Sequence, residues 1–125
     1  MMNDPEVPTM KRSTTTAFVA GETALEAAGI AIRLATRVPA QLRSLADQVI
    51  RSASSVPANL VEGHGRTGRD RLHHWRIAYG SAREVDVHLR LLLDAGVVDA
   101  TQARAALALF DEVRAMTWRL LHPLP

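Results

Sequence analysis

Residues 42–63, LRSLADQVIRSASSVPANLVEG, decide the fold. Within them Leu42, Leu45, Val49, Ala53, Val56 and Leu60 recur at steps of three or four. A half-buried strand would alternate apolar and polar residues, whereas steps of three and four bring side chains to one side of a helix. The stretch therefore reads as an amphipathic helix whose apolar seam is made to meet another helix. Pro57 lies inside it. A proline removes one backbone donor and costs about 3 kcal/mol in a helix interior, which predicts a kink or short break around residues 54–58. Beyond Gly63 the run His64, Gly65, Arg66, Thr67, Gly68 stops the helix and turns the chain.

The same reading extends in both directions. Upstream, Phe18, Leu25, Ala28, Ile32 and Ala35 predict one face of a helix from about Thr15 to Arg37, ended by Pro39. Downstream, Thr67 and Asp70 form an imperfect capping box for a helix reaching about Ala95, with Leu72, Trp75, Tyr79, Ala82, Val85, Leu89 and Leu92 as its seam. Gly96 suits the position just past that helix. Asp99 with Gln102 then caps a last helix to about Leu121, whose inner face is Ala103, Leu107, Phe110, Val113, Thr117 and Leu120. Four such helices on short connections predict an all-α fold, an up-down-up-down antiparallel four-helix bundle spanning residues 15–125. Residues 1–14, with two prolines and no periodicity, read as a flexible tail.

Composition agrees and narrows the function. The chain has 125 residues, 47% apolar and 22% charged, enough for one domain with a real core. Aromatics are few, so Ala, Leu, Val and Ile must build that core. Cysteine is absent, which removes disulfides and thiolate metal sites. No export signal and no apolar run of 18 residues occurs, so the expectation is a cytoplasmic protein without a membrane partner. The Ala-rich first helix carries Glu22 and Glu26 on its polar face, which anionic lipid would repel. No P-loop, dinucleotide glycine run or nucleophile elbow is present. Asp70 to His73 is a distant imitation of the Glu-x-x-His of di-iron bundles. We therefore expect no cofactor, no metal, no catalytic residue and no enzyme.

Charge distribution says more than the net of +2. Residues 33–90 hold ten arginines against five acids, a local excess of five positive charges. Arg69, Arg76, Arg83 and Arg90 are seven apart, nearly two helical turns, and so form a stripe rising roughly 10 Å per step. Arg66 and Arg71 add charge at the helix start. These six are the candidate contacts to the backbone of RNA or DNA, without base reading, since neither a groove-reading helix nor an aromatic stacking platform is evident. The competing reading is a solvated face, or a flank neutralised by Asp86, Asp94 or a neighbouring subunit. Arg69 to His74 and Arg83 to His88 also match an Arg, four residues, His pattern that resembles helical HEPN ribonucleases, the runner-up enzyme reading. Finding it twice in an Arg-rich chain shows how little the pattern demands.

The run from Asp47 to Gly63, followed by Ala78, Tyr79, Gly80, Ser81, Ala82, Arg83 and Glu84 and an apolar helix closed by Gly96, resembles the four helix bundle protein family. Its members were first noticed as reading frames in intervening sequences of bacterial large-subunit ribosomal RNA genes. The resemblance spans about Leu34 to Val98. It implies a homopentameric ring, related to accessory proteins of diversity-generating retroelements, which bind nucleic acid and a reverse transcriptase. The implied partners are other copies of the chain, RNA or DNA, and an enzyme such as a reverse transcriptase. Asn59, Glu62, Ser81 and Glu84 are the polar residues of the two blocks, and some fall close to the seam. With Arg51 among the available cation partners they form the expected structural network that sets helix register, the alternative being a ligand or subunit contact. The expected function is an oligomeric binding module, or, with the basic stripe buried between subunits, a purely structural assembly protein.

Overall fold

A computed structural model describes residues 18–125. It contains helix α1 (Val19–Ala35), a single 3₁₀ turn (Ala40–Leu42), then α2 (Arg43–His64), α3 (Gly68–Asp94) and α4 (Ala100–Leu121). No strand occurs among the described residues. The expected tail, 1–14, and the expected helix start at Thr15 lie outside them.

Each helix packs on its neighbours in a closed cycle: α1 on α2, α2 on α3, α3 on α4 and α4 on α1. Contacts between neighbours run in opposite order along their sequences. Arg51 meets Glu84 and Trp75 meets Leu60 across α2 and α3, while Phe18 stacks on His64 at the far end of α2. Consecutive helices are thus antiparallel, as short connections require. At the centre lie Phe110, Leu60, Leu89, Leu92, Val49, Val56, Val85 and Val113, all fully buried.

Of the face expected for the first helix, Ala28 and Ala35 are buried and Phe18 and Ile32 pack against the core, but the inward side is centred on the neighbouring alanines. Ala20, Ala24, Ala27, Ala28, Ala31 and Leu34 are buried, Leu25 remains 49% exposed and Ile32 is only half-buried. Small side chains let α1 lie close to its neighbours, and this close approach pushes the larger residues to the flank. The expected break at Pro57 is also absent, because α2 runs through it with Val56, Pro57 and Leu60 all buried. Packing of that apolar face outweighs one lost backbone bond.

The ends follow local chemistry more closely. Asp99 Oδ2 accepts the Gln102 N–H at 2.8 Å, as an N-cap should. At Gly96 φ is +72°, and the Val97 N–H reaches Leu92 O at 3.3 Å while Gly96 N–H reaches Leu93 O at 3.0 Å. This Schellman closure needs the left-handed backbone that glycine supplies. Thr67 occupies the N-cap position of α3 but its side chain makes no capping bond. The Asp70 carboxylate is taken instead by Arg66.

Candidate nucleic-acid interface

Arg69, Arg76, Arg83 and Arg90 are all exposed along α3. Among the described residues no ion pair holds Arg69, Arg76 or Arg83, whereas Arg90 Nε donates to Asp86 Oδ2 at 2.8 Å. The other two members of the candidate set have different employment. Arg66 bridges Asp70 at 2.5 Å and Glu62 at 2.8 Å. Its hydrogen bond to Asp70 raises the guanidinium pKa and, reciprocally, holds the Asp70 carboxyl below its usual range. Arg71 donates from Nε to Gly63 O at 3.0 Å and from Nη2 to His64 O at 2.9 Å, and its guanidinium lies 5.1 Å from the Trp75 ring centroid. It therefore caps the carbonyl end of α2, where a cation opposes the helix dipole. Among the described residues, three of the six arginines thus meet no ion-pair partner.

The polar residues of the two sequence blocks separate into clusters along the α2–α3 seam. Arg51 pairs with Glu84 across the helices and also donates to Gln48 at 2.7 Å. His88 Nε2 lies 3.6 Å from the same Glu84. One level along, Ser81 Oγ donates to Ser55 Oγ at 2.9 Å, Asn59 Nδ2 donates to Ser55 O at 2.9 Å, and His74 Nδ1 meets Asn59 Oδ1 at 2.9 Å. Glu62 stands apart, bound to Arg66. Ser55, His74, Gln48 and His88 were absent from the expected network. Finding them needs the α2–α3 register, which neither helix carries alone.

The two Arg, four residues, His pairs do not converge. Five residues on a helix are about 140° apart in angle, and here the arginines face outward while His74 and His88 turn towards the α2 side. No group of His, Asp or Glu suited to a metal occurs among the described residues.

The fold brings together one feature that the sequence alone did not suggest. Tyr79 from α3 and Trp118 from α4 line a single open groove of about 420 Å³, together with Asp111, Arg114, Ala115 and Arg119. Trp118 is 50% exposed and stacks on His122 with centroids 4.1 Å apart. Neither Tyr79 nor Trp118 belongs to the candidate site residues read from the sequence. Within the groove, Arg114 donates to Asp111 at 2.5 Å and faces Asp86 across the helices at 3.2 Å. On the opposite flank of the bundle, Leu25, Gly29, Ile32, Pro57, Ala58 and Val61 line an apolar groove of about 470 Å³. Among the described residues no helix is long and apolar enough to cross a membrane.

A family model described as 23S rRNA-intervening sequence protein matches residues 21–119. Among curated proteins none matches the chain. A similar solved structure is a protein of unknown function from the S23 ribosomal protein family of Bacteroides thetaiotaomicron, with 20% identity and a TM-score of 0.72. The match covers 82% of this chain and 98% of that one, and it bears on the fold alone. Neither the family nor this neighbour is named as an enzyme.

Proposed function

Because the chain belongs to the 23S rRNA-intervening sequence protein family, we propose that it is a non-enzymatic binding module that works as a homo-oligomer and grips the phosphate backbone of RNA or DNA along α3. The observation that carries this reading is the row of exposed guanidinium groups at Arg69, Arg76 and Arg83, none of which is ion-paired among the described residues. Leaving three planar cationic forks in water on one face suits a polyanion, since each phosphate they neutralise releases counterions. Assembly uses the apolar groove between α1 and α2, where Leu25 and Val61 are about half exposed. A second copy of the chain covers it, in the pentameric ring that the family resemblance implies. Such a ring repeats the arginine row around its circumference and multiplies weak contacts into avidity. A nucleic-acid enzyme such as a reverse transcriptase is the partner it would present its cargo to, and the cytoplasm is where it would do so.

The test is the mass in solution by light scattering, followed by retention on immobilised RNA as salt rises. The wild type is expected to run as an oligomer and to elute with salt. Arg76→Glu with Arg83→Glu is expected to abolish retention without changing the mass. A monomer whose retention ignores salt overturns the proposal. If the double variant dissociates the oligomer instead, the stripe is a subunit contact and the chain is a structural assembly protein.

A further inference from the structure

The geometry points to the α3–α4 groove as a stacking site for unpaired bases, which makes single-stranded nucleic acid the preferred ligand. The inference rests on the reading of α3 as a phosphate-binding face and adds the class of strand it accepts. Tyr79 and Trp118, from two different helices, line one open groove, and His122 backs one face of the half-exposed Trp118 ring. Arg76 and Arg83 stand three residues before and four residues after Tyr79, the spacings that share a helix face, so both belong to the side of α3 that carries Tyr79, although neither lines the groove itself. Arg119, next to Trp118, lines the groove itself and carries no ion pair among the described residues.

The acids nearby do not cancel this charge. Asp111 is held by Arg114, and Asp86 by Arg90 and Arg114, so these carboxylates are neutralised from within the α3–α4 seam, while Arg76, Arg83 and Arg119 are paired with no acid among the described residues. An aromatic ring half exposed beside free guanidinium groups is the combination that binds a strand through its bases and backbone together. A duplex cannot use the rings, because its base faces are already covered by their neighbours. A purely apolar protein segment would leave three cations unanswered.

The experiment measures binding of the full chain to a labelled thymidine oligonucleotide of about twelve residues and to a duplex of equal length, by fluorescence anisotropy. Trp118→Ala, an exposed position whose loss should leave the fold intact, is compared with wild type and with Trp118→Phe. The expected result is a roughly five- to hundredfold weaker single-strand affinity for Trp118→Ala, little change for the duplex, and substantial recovery with Trp118→Phe. The salt slope should stay the same in all three, since no phosphate contact is removed. Equal single-strand affinity for wild type and Trp118→Ala overturns the stacking site and leaves the phosphate-binding reading standing. Failure of the wild type to bind either oligonucleotide removes that reading and the stacking site with it. A Trp118→Ala variant with altered oligomer mass and unaltered oligonucleotide binding would show that protein occupies the groove, and would also overturn the proposal.

Discussion

Replacing Gly63 by alanine perturbs the place where α2 ends against α3. A Cβ built there lies 2.6 Å from Trp75 Cδ1, 2.7 Å from Trp75 Nε1 and 3.0 Å from Arg71 O. Ordinary carbon contacts are near 3.5–4.0 Å, so the indole must move by about 1 Å. Trp75 is only 6% exposed and its Nε1 donates to Leu60 O at 3.2 Å, so it has little room and a hydrogen bond to lose. Overpacking of this kind costs about 1–3 kcal/mol, and a weakened buried hydrogen bond adds about 1 kcal/mol. Alanine's better helix propensity offsets up to about 1 kcal/mol. The net expectation is a destabilisation of about 2 kcal/mol, equivalent to a fall in Tm of roughly 6–10 °C for a chain of this size. Gly80→Ala makes the same chemical change in the middle of α3, where nothing lies within 4 Å of the new methyl. Only the propensity effect operates there, so that variant should be more stable by about 0.5–1 kcal/mol. Urea unfolding followed by circular dichroism at constant m separates the two. If Gly63→Ala unfolds at or above the wild-type midpoint, or Gly80→Ala falls with it, the account of the α2–α3 corner is refuted.

Three further outcomes follow from the same structure. Asp99→Ala should cost about 1 kcal/mol by removing the cap on Gln102, while Thr67→Ala, which removes no capping bond, should stay within about 0.5 kcal/mol of wild type in the same unfolding assay. Phe110→Ala empties the largest fully buried side chain and should cost about 3–5 kcal/mol, read as a lower urea midpoint. Asp70 should titrate below the usual carboxylate range and return towards it in Arg66→Gln, observable by carboxyl NMR. Because its folded pKa is depressed, the contribution of Asp70 is complete above the unfolded value and is lost as pH falls through the folded one. The raised Arg66 pKa lies too high to add a transition in the working pH range.

Much of the architecture was legible because it depends on residues close together in the chain. Steps of three and four along α2, α3 and α4 marked faces that prove to hold Val49, Leu60, Trp75, Leu89, Phe110 and Val113. Asp99 and Gly96 announced their helix ends through hydrogen bonds to residues within five positions. In α1 the expected face meets the buried one at Ala28 and Ala35 but departs from it at Leu25, since alanines occur around much of the helix and the pattern favours whichever face holds the larger side chains. How closely α1 approaches its neighbours decides which face is inside, and that distance is a property of the assembled bundle.

The candidate site divides along the same line. The sequence alone determined four helices, the Asp99 cap and the Gly96 closure, and a row of arginines on one face of the third, because helical geometry converts spacing directly into direction. Only the tertiary structure decided which arginines stay free. Arg71 meets the carbonyls at the end of α2, Arg66 is bound between Glu62 and Asp70, and Tyr79 comes beside Trp118. The Arg51–Glu84 pair joins positions 33 residues apart, and such a meeting depends on how one helix is set against the next, which is a matter of core packing and not of local propensity.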